Sequence, residues 1–144
     1  MKNKWTDRPV SKPLDAQAGL AAMEFTVLLP LLLLLSMGVV DFGRLMYAQE
    51  MLANASREGA RQGILLTTPR ITLSEIQTVV QNTLMQQGYN PSVASVEANG
   101  AGGSSGADLE VKVNYPFDFW VVSKLVPGMM DSMTLSSTTV MKME

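Results

Sequence analysis

A run of 21 residues, Leu20–Val40, carries a single charge, Glu24, and no other feature constrains the fold so strongly. A helix needs about 20 apolar residues to cross the hydrocarbon of a bilayer. Only a helix or a closed barrel can satisfy its backbone there, and one segment cannot close a barrel. Pro30 lies inside the run. It would break a soluble helix, but membrane helices tolerate proline, and a bend is predicted at that point. An ionisable side chain in this setting costs about 2.5–3.5 kcal/mol on insertion scales, so a lone Glu24 reads as functional and calls for a partner charge. A cut after Gly19 would create one. The new α-amino group of Leu20 would lie within one or two turns of Glu24, on the same molecule or on a neighbour.

The charge pattern orients the span. The chain has 144 residues and a net charge of −2, unevenly placed. Lys2, Lys4, Arg8 and Lys12 against Asp7 and Asp15 leave the first 18 residues at +2 and the remainder at −4. Arg44 is the only cation in the first dozen residues after the run, so the amino end is expected in the cytoplasm and the rest across the membrane. The predicted organisation is a basic leader at 1–19, a transmembrane helical part at 20–44 and an exported domain at 45–144. No basic cluster suggests nucleic acid. The absence of cysteine excludes a disulfide framework, and the absence of histidine removes the commonest general base and zinc ligand.

Helical periodicity continues past the span. Leu45, Met46, Leu52, Ala53, Ser56, Ala60 and Ile64 recur at three- and four-residue intervals, with no proline from Phe42 to Leu66. The spacing predicts one rod from Leu20 to Leu66, about 70 Å long at 1.5 Å per residue, ended by Thr67-Thr68-Pro69. Within it Ser56, Gly59, Ala60 and Gly63 form a candidate helix-packing face with GxxxG spacing. Such spacing specifies helix dimers only in apolar membrane segments, and this one contains Arg61 and Gln62. The chain's own sheet is the preferred occupant, with a second subunit as the alternative. Asp41 with Arg44 and Glu58 with Arg61 are read as solvated pairs worth a few tenths of a kcal/mol each.

Thr72 and Glu75 have the spacing of a capping box, with Ile71 and Ile76 placed as a hydrophobic staple. They open a second helix over about 73–87, with Leu73, Ile76, Val80 and Leu84 as its apolar face. Gly88 and Asn90-Pro91 end it. The period then changes to two. Leu109, Val111, Val113 and Tyr115 alternate with Asp108, Glu110, Lys112 and Asn114, predicting a strand with one buried face. Val93–Glu97 is its expected hairpin partner and Met133–Met143 a third strand, Ser/Thr-rich on the wet side. Between the first two, Gly100–Gly106 reads as a mobile hairpin tip, because no Lys and no helix follow it as a phosphate loop requires. In the Pro116–Gly128 connection, Phe117, Phe119, Trp120, Val121 and Val122 either cap the core or form an exposed patch, with core the preferred reading. The expected fold is α+β: a long amino-terminal helix continuing into a domain with a second short helix and a three-stranded antiparallel sheet. Its expected core is Leu109, Val111, Val113, Met133 and Leu135 against Leu52, Ser56, Ala60 and Ile64.

Catalysis fares badly. Asp108 and Glu110 share a strand face with Lys112 and Asn114, which marks a solvated surface, and Ser104 and Ser105 lack any histidine to activate them. The residues point to no enzyme, no cofactor and no metal.

Gly19-Leu-Ala-Ala-Met-Glu24-Phe25, a Leu-rich stretch containing Pro30, Gly38-Val-Val-Asp41-Phe42-Gly43-Arg44, and Ala55-Ser-Arg57-Glu58-Gly59-Ala60-Arg61 follow in this order. Together they resemble the TadE-like minor pilins, or pseudopilins, of the tight-adherence (Flp) type IVb pilus system. Phe25 stands where the major Flp pilin typically has Tyr, and the domain exceeds what that short pilin carries, so the minor class is favoured. The longer TadG-like relatives add a von Willebrand-type domain for which this chain has no length. The resemblance implies maturation by a prepilin peptidase between Gly19 and Leu20, where a side chain on Gly19 would obstruct approach to the backbone. It implies that Glu24, beside Phe25, meets the amine of a neighbouring subunit. It implies partners among other pilins and pseudopilins, the inner-membrane assembly platform and membrane lipid, with no nucleic acid. The expected location is the bacterial inner membrane, single-pass, amino end cytoplasmic and carboxy-terminal domain periplasmic or extracellular; whether the protein enters the pilus stays open. Two other readings also stay open. One is an uncleaved single-pass anchor bearing an interaction domain, with Glu24 merely interfacial. The other is a domain secreted after a cut at Gly38, where Ser36 and Gly38 supply small residues and Val39 becomes the first residue.

Overall fold

The computed structural model describes residues 14–120, 124 and 132–144. The charged leader positions up to Lys12 and the Val121-Val122 part of the aromatic connection lie outside them. Helix α1 runs Leu14–Gly63, α2 Leu73–Gln86, and strands β1 Ser95–Asn99, β2 Asp108–Asp118 and β3 Ser132–Lys142 follow. Two units divide at the Met37–Gly38 bond.

The first unit holds most of the apolar run, in a helix long and apolar enough to cross a membrane. Its large side chains face outward, Met23 at 71 % and Val27 at 76 % exposure among them. Their outward packing is what a lipid-facing helix requires. Its hydroxyls are satisfied internally: Thr26 Oγ1 donates to the Ala22 carbonyl and Ser36 Oγ to that of Leu32, each at 2.8 Å. Pro30 lies within the helix.

Both ends of α1 differ from expectation. It begins at Leu14 rather than Leu20, because nothing between Pro13 and Gly19 breaks a helix. It stops at Gly63 rather than Leu66. The Leu65 N–H turns back to the Gln62 carbonyl (3.3 Å), and the Ile64 carbonyl accepts instead from the N–H of Glu144 (3.2 Å). The last residue of the chain thus takes the acceptor that another helical turn would have used.

In the second unit, Gly38–Glu144, the Glu75 carboxylate accepts from both the backbone N–H (2.7 Å) and the hydroxyl (2.9 Å) of Thr72. These bonds, the backbone one foremost, hold Glu75 below the usual carboxylate range. At the other end of α2, Gly88 takes φ +82°, while its N–H reaches Met85 and that of Tyr89 reaches Leu84, a Schellman closure. The buried face of α2 is Ile76, Val80 and Leu84. Leu73, expected on that face, is 42 % exposed, because it sits in the opening turn ahead of the packed stripe.

The sheet is antiparallel in the order β1-β2-β3. β1 starts at Ser95 rather than Val93, because the Asn90 side chain accepts the Ser92 N–H (3.0 Å) and opens a 3-10 turn over Pro91–Val93. β2 runs on through Pro116 to Asp118, residues expected in the connection. β1 starts opposite Asn114, so beyond that point β2 pairs only with β3 and its free edge tolerates a proline. The Gly100–Gly106 loop is tied to the end of the chain, the Gly106 N–H donating to the Met143 carbonyl (2.9 Å) and the Met143 N–H to that of Ala107 (2.8 Å).

Register decides the core. Leu109, Val111 and Val113 are fully buried, and opposite them stand Met141, Thr139 and Ser137. The wet side of β3 is indeed Ser/Thr-rich, yet Ser137 and Thr139 face inward, where the buried Ser56 hydroxyl lies 3.1 and 2.8 Å from theirs. Met133, expected in the core, is 44 % exposed: it pairs with Phe117 near the open end of the sheet, and Phe117 fills the space instead. Ile64 is only partly buried, while Ala48, Ala55 and Met143 join the core.

The small-residue face of α1 is occupied from within this unit. A Cβ on Gly59 would come within 2.5 Å of Val80 Cγ2, and one on Gly63 within 2.5 Å of Leu109 Cδ2 and 2.8 Å of Ile76 Cδ1. Ala60 and Ser56 are fully buried beside them. Both α2 and the sheet therefore approach the helix backbone closely, whereas the sequence had suggested the sheet alone. Ala60→Trp should overpack this contact and lower stability by ~1–3 kcal/mol or more in denaturant unfolding, with a gain in protease sensitivity. Undiminished stability together with lost association to other pilins would make the face a subunit interface.

Candidate assembly site

Gly19, Leu20, Glu24 and Phe25 all lie in α1. Leu20 and Glu24 are four residues apart and so share a face one turn apart, where an amine at Leu20, if the chain were cut there, would lie in the neighbourhood of the carboxylate. Leu20 and Phe25 are 61 % and 58 % exposed. Glu24 is exposed, and no ion pair reaches it among the described residues. A Cβ on Gly19 would meet nothing within 4 Å. Among the described residues, no packing therefore requires glycine there, as it does at Gly59 and Gly63. The same openness holds at Gly38 and Gly43.

Among the described residues no three or more His, Cys, Asp or Glu side chains are grouped to hold a metal. Asp108 lies 3.5 Å from Lys142 with both side chains largely exposed, as expected of a solvated strand face. Glu58 and Arg61 form a two-pronged pair at 2.7 and 3.1 Å, and its hydrogen bonds hold the Glu58 carboxyl below its ordinary range. Being exposed, it contributes little to stability.

A node just beyond the apolar run was not legible in the sequence. Asp41, read as a solvated partner of Arg44, is 1 % exposed. Its Oδ1 accepts from Arg44 Nη1 and from the backbone N–H of Trp120, each at 3.2 Å. The Arg44 guanidinium lies 5.4 Å from the centroid of the Phe117 ring, which meets Phe119 edge-on at 5.3 Å. Spacing revealed the Asp41–Arg44 pair; nothing local revealed that the chain returns to Asp41 after 79 residues.

Beside this node lies a cleft of ≈ 310 Å³ lined by Arg44, Tyr47, Tyr89, Tyr115, Pro116, Phe117 and Asp118. Tyr89 stacks on Tyr47 at 6.5 Å and meets Tyr115 edge-on at 5.4 Å. Burial, aided by the two neighbouring tyrosines, pushes the Tyr89 phenol up. Aromatic walls with one guanidinium offer contact surface, and no histidine or cysteine is present to supply a base or thiolate.

Asp41→Ala should strip an acceptor from the Trp120 backbone and a partner from Arg44, lowering stability by ~1–3 kcal/mol. Asp41→Asn, which keeps an acceptor oxygen, should lose less. Urea unfolding in detergent micelles measures both, and an unaffected Asp41→Ala variant would contradict this role.

No curated protein and no solved structure matches the chain. Residues 19–61, from the glycine of the expected cut to just past Ser56, Gly59 and Ala60 of the small-residue face, match the family model described as TadE-like protein, in keeping with the resemblance.

Proposed function

We propose that this protein is a non-catalytic minor pilin or pseudopilin that takes part in assembling a tight-adherence pilus. A prepilin peptidase cuts between Gly19 and Leu20, removing the basic leader and freeing the helix to leave the cytoplasmic side. Glu24 then meets the Leu20 amine of a neighbouring subunit as apolar helices cluster in the bilayer or enter a filament. The protein sits in the inner membrane with its amino end cytoplasmic and its domain outside, where it contacts other pilins and the assembly platform. The observation that carries this reading is the coincidence of the 19–61 family match with an apolar helix whose side chains face outward. The match begins at Gly19, the glycine of the proposed cut.

One observation favours a second reading, an uncleaved single-pass anchor. α1 runs unbroken through the Gly19–Leu20 bond, and a peptidase needs that backbone opened. The bond lies in the first two turns, where helices fray, so the opening required is local.

Gly19→Trp should leave the unprocessed form in the membrane, because cleavage needs a small residue while insertion needs only the apolar run. A Leu20 terminus on that variant would sink the processing assignment. Glu24→Gln should be cut and stable, yet fail to support piliation or to co-purify with other pilins, since its partner amine exists only after the cut. Full piliation with this variant would remove the charge pair from the account.

A further inference from the structure

The second unit leaves large amphipathic side chains exposed in one narrow zone of its fold. Trp120 is 62 % exposed although its backbone is fastened to Asp41, the residue that directly follows the apolar run. Phe42 and Met46, one turn apart on α1, are 61 % and 47 % exposed, and Tyr47 is 54 % exposed. The Arg44 side chain is 46 % exposed despite its bond to Asp41.

These residues do not lie on one side of the helix. At about 100° per residue, Phe42 and Met46 fall on one flank of the buried Asp41 direction, and Arg44 and Tyr47 on the other. A partner helix would cover one flank. A bilayer surface meets every flank at the same level, and Trp120, two residues beyond the end of β2, adds a side chain no helix pair would need. From Asp41 to Tyr47 the axis rises about 9 Å, comparable with the headgroup layer on one side of the hydrocarbon. Tryptophan, tyrosine and arginine are the side chains that this layer favours, because each has an apolar body and a polar or charged tip.

We propose that Phe42, Arg44, Met46, Tyr47 and Trp120 form an interfacial belt that seats the globular unit on the lipid headgroups of the outer leaflet of the membrane it is anchored in. The proposal rests on the reading of Leu20–Val40 as a membrane span. Trp120 acts as a second foothold, supplied by the sheet and locked to the helix by Asp41. The unit is thereby held at the membrane until assembly extracts the helix and the belt with it.

Fluorescence quenching in lipid nanodiscs of phosphatidylcholine and phosphatidylglycerol tests this on the full chain. Trp5→Phe leaves Trp120 as the sole tryptophan. Lipids labelled near the headgroup should quench it about twofold more than lipids labelled deep in the acyl chain. A control carrying Trp5→Phe, Trp120→Phe and Leu32→Trp should show the reverse order. If the control is quenched from depth while Trp120 is reached only by aqueous acrylamide, the belt is wrong and the span stands. Trp120 shielded from both acrylamide and lipid labels means that protein covers it, and stronger quenching from depth places it in hydrocarbon; either overturns the belt. If the control is quenched by neither label, the span fails and the belt falls with it.

Discussion

The globular unit depends on how closely other elements reach the backbone of α1 at Gly59, Ala60 and Gly63. Val80 of α2 and Leu109 of β2 occupy the space that side chains there would fill. One helix face therefore carries both the second helix and the sheet. The buried Ser56 adds direction to this packing, because its hydroxyl bonds to Ser137 and Thr139 on the inner face of β3. A buried hydroxyl left without partners is costly, so these bonds help to fix which residues of β3 face the helix. The end of the chain closes the same region, with the Glu144 N–H on the Ile64 carbonyl and its carbonyl accepting from Arg70 Nη2 at 3.0 Å. No disulfide takes part, since the chain has no cysteine.

The amino-terminal part of α1 obeys a different constraint. Its large apolar side chains are outward, its hydroxyls return to the helix's own carbonyls, and Glu24, the one carboxylate of the apolar run, is left without an ion-pair partner among the described residues. In water such a helix would expose a large apolar surface. In a bilayer only Glu24 is out of place, and a charge supplied by cleavage would relieve it. On the proposed reading, the same sequence supplies both an anchor and a reason for change, as an assembly subunit needs.

Much of this was legible in the residues. The capping residues Thr72 and Glu75, Gly88 at the end of α2 and the alternation from Leu109 to Tyr115 are local signals, and each landed where its chemistry placed it. The apolar run was legible as well, and it lies in a helix long and apolar enough to cross a membrane. What was not legible is set by partners distant in sequence. Asp41 looked solvated because its third neighbour is Arg44, yet the backbone of Trp120 arrives to bury it. The alternation that turns Leu135 inward turns Ser137 and Thr139 inward too, but nothing local revealed that Ser56 meets them on the dry side. Met133 looked like core by its period, but Phe117, its partner in the sheet, fills that space and leaves Met133 exposed. The limit of β2 at Pro116 moved for a similar reason: whether a proline ends a strand depends on which neighbours are paired beside it.

The central claim is that Glu24 acquires its partner by a cut that exposes Leu20. Intact mass of the protein purified from the membrane fraction, backed by amino-terminal sequencing, tests it most directly. The account predicts a membrane-bound chain that begins at Leu20. A chain that retains Met1 contradicts it in favour of a permanent anchor, and one that begins at Val39 contradicts it in favour of a secreted domain.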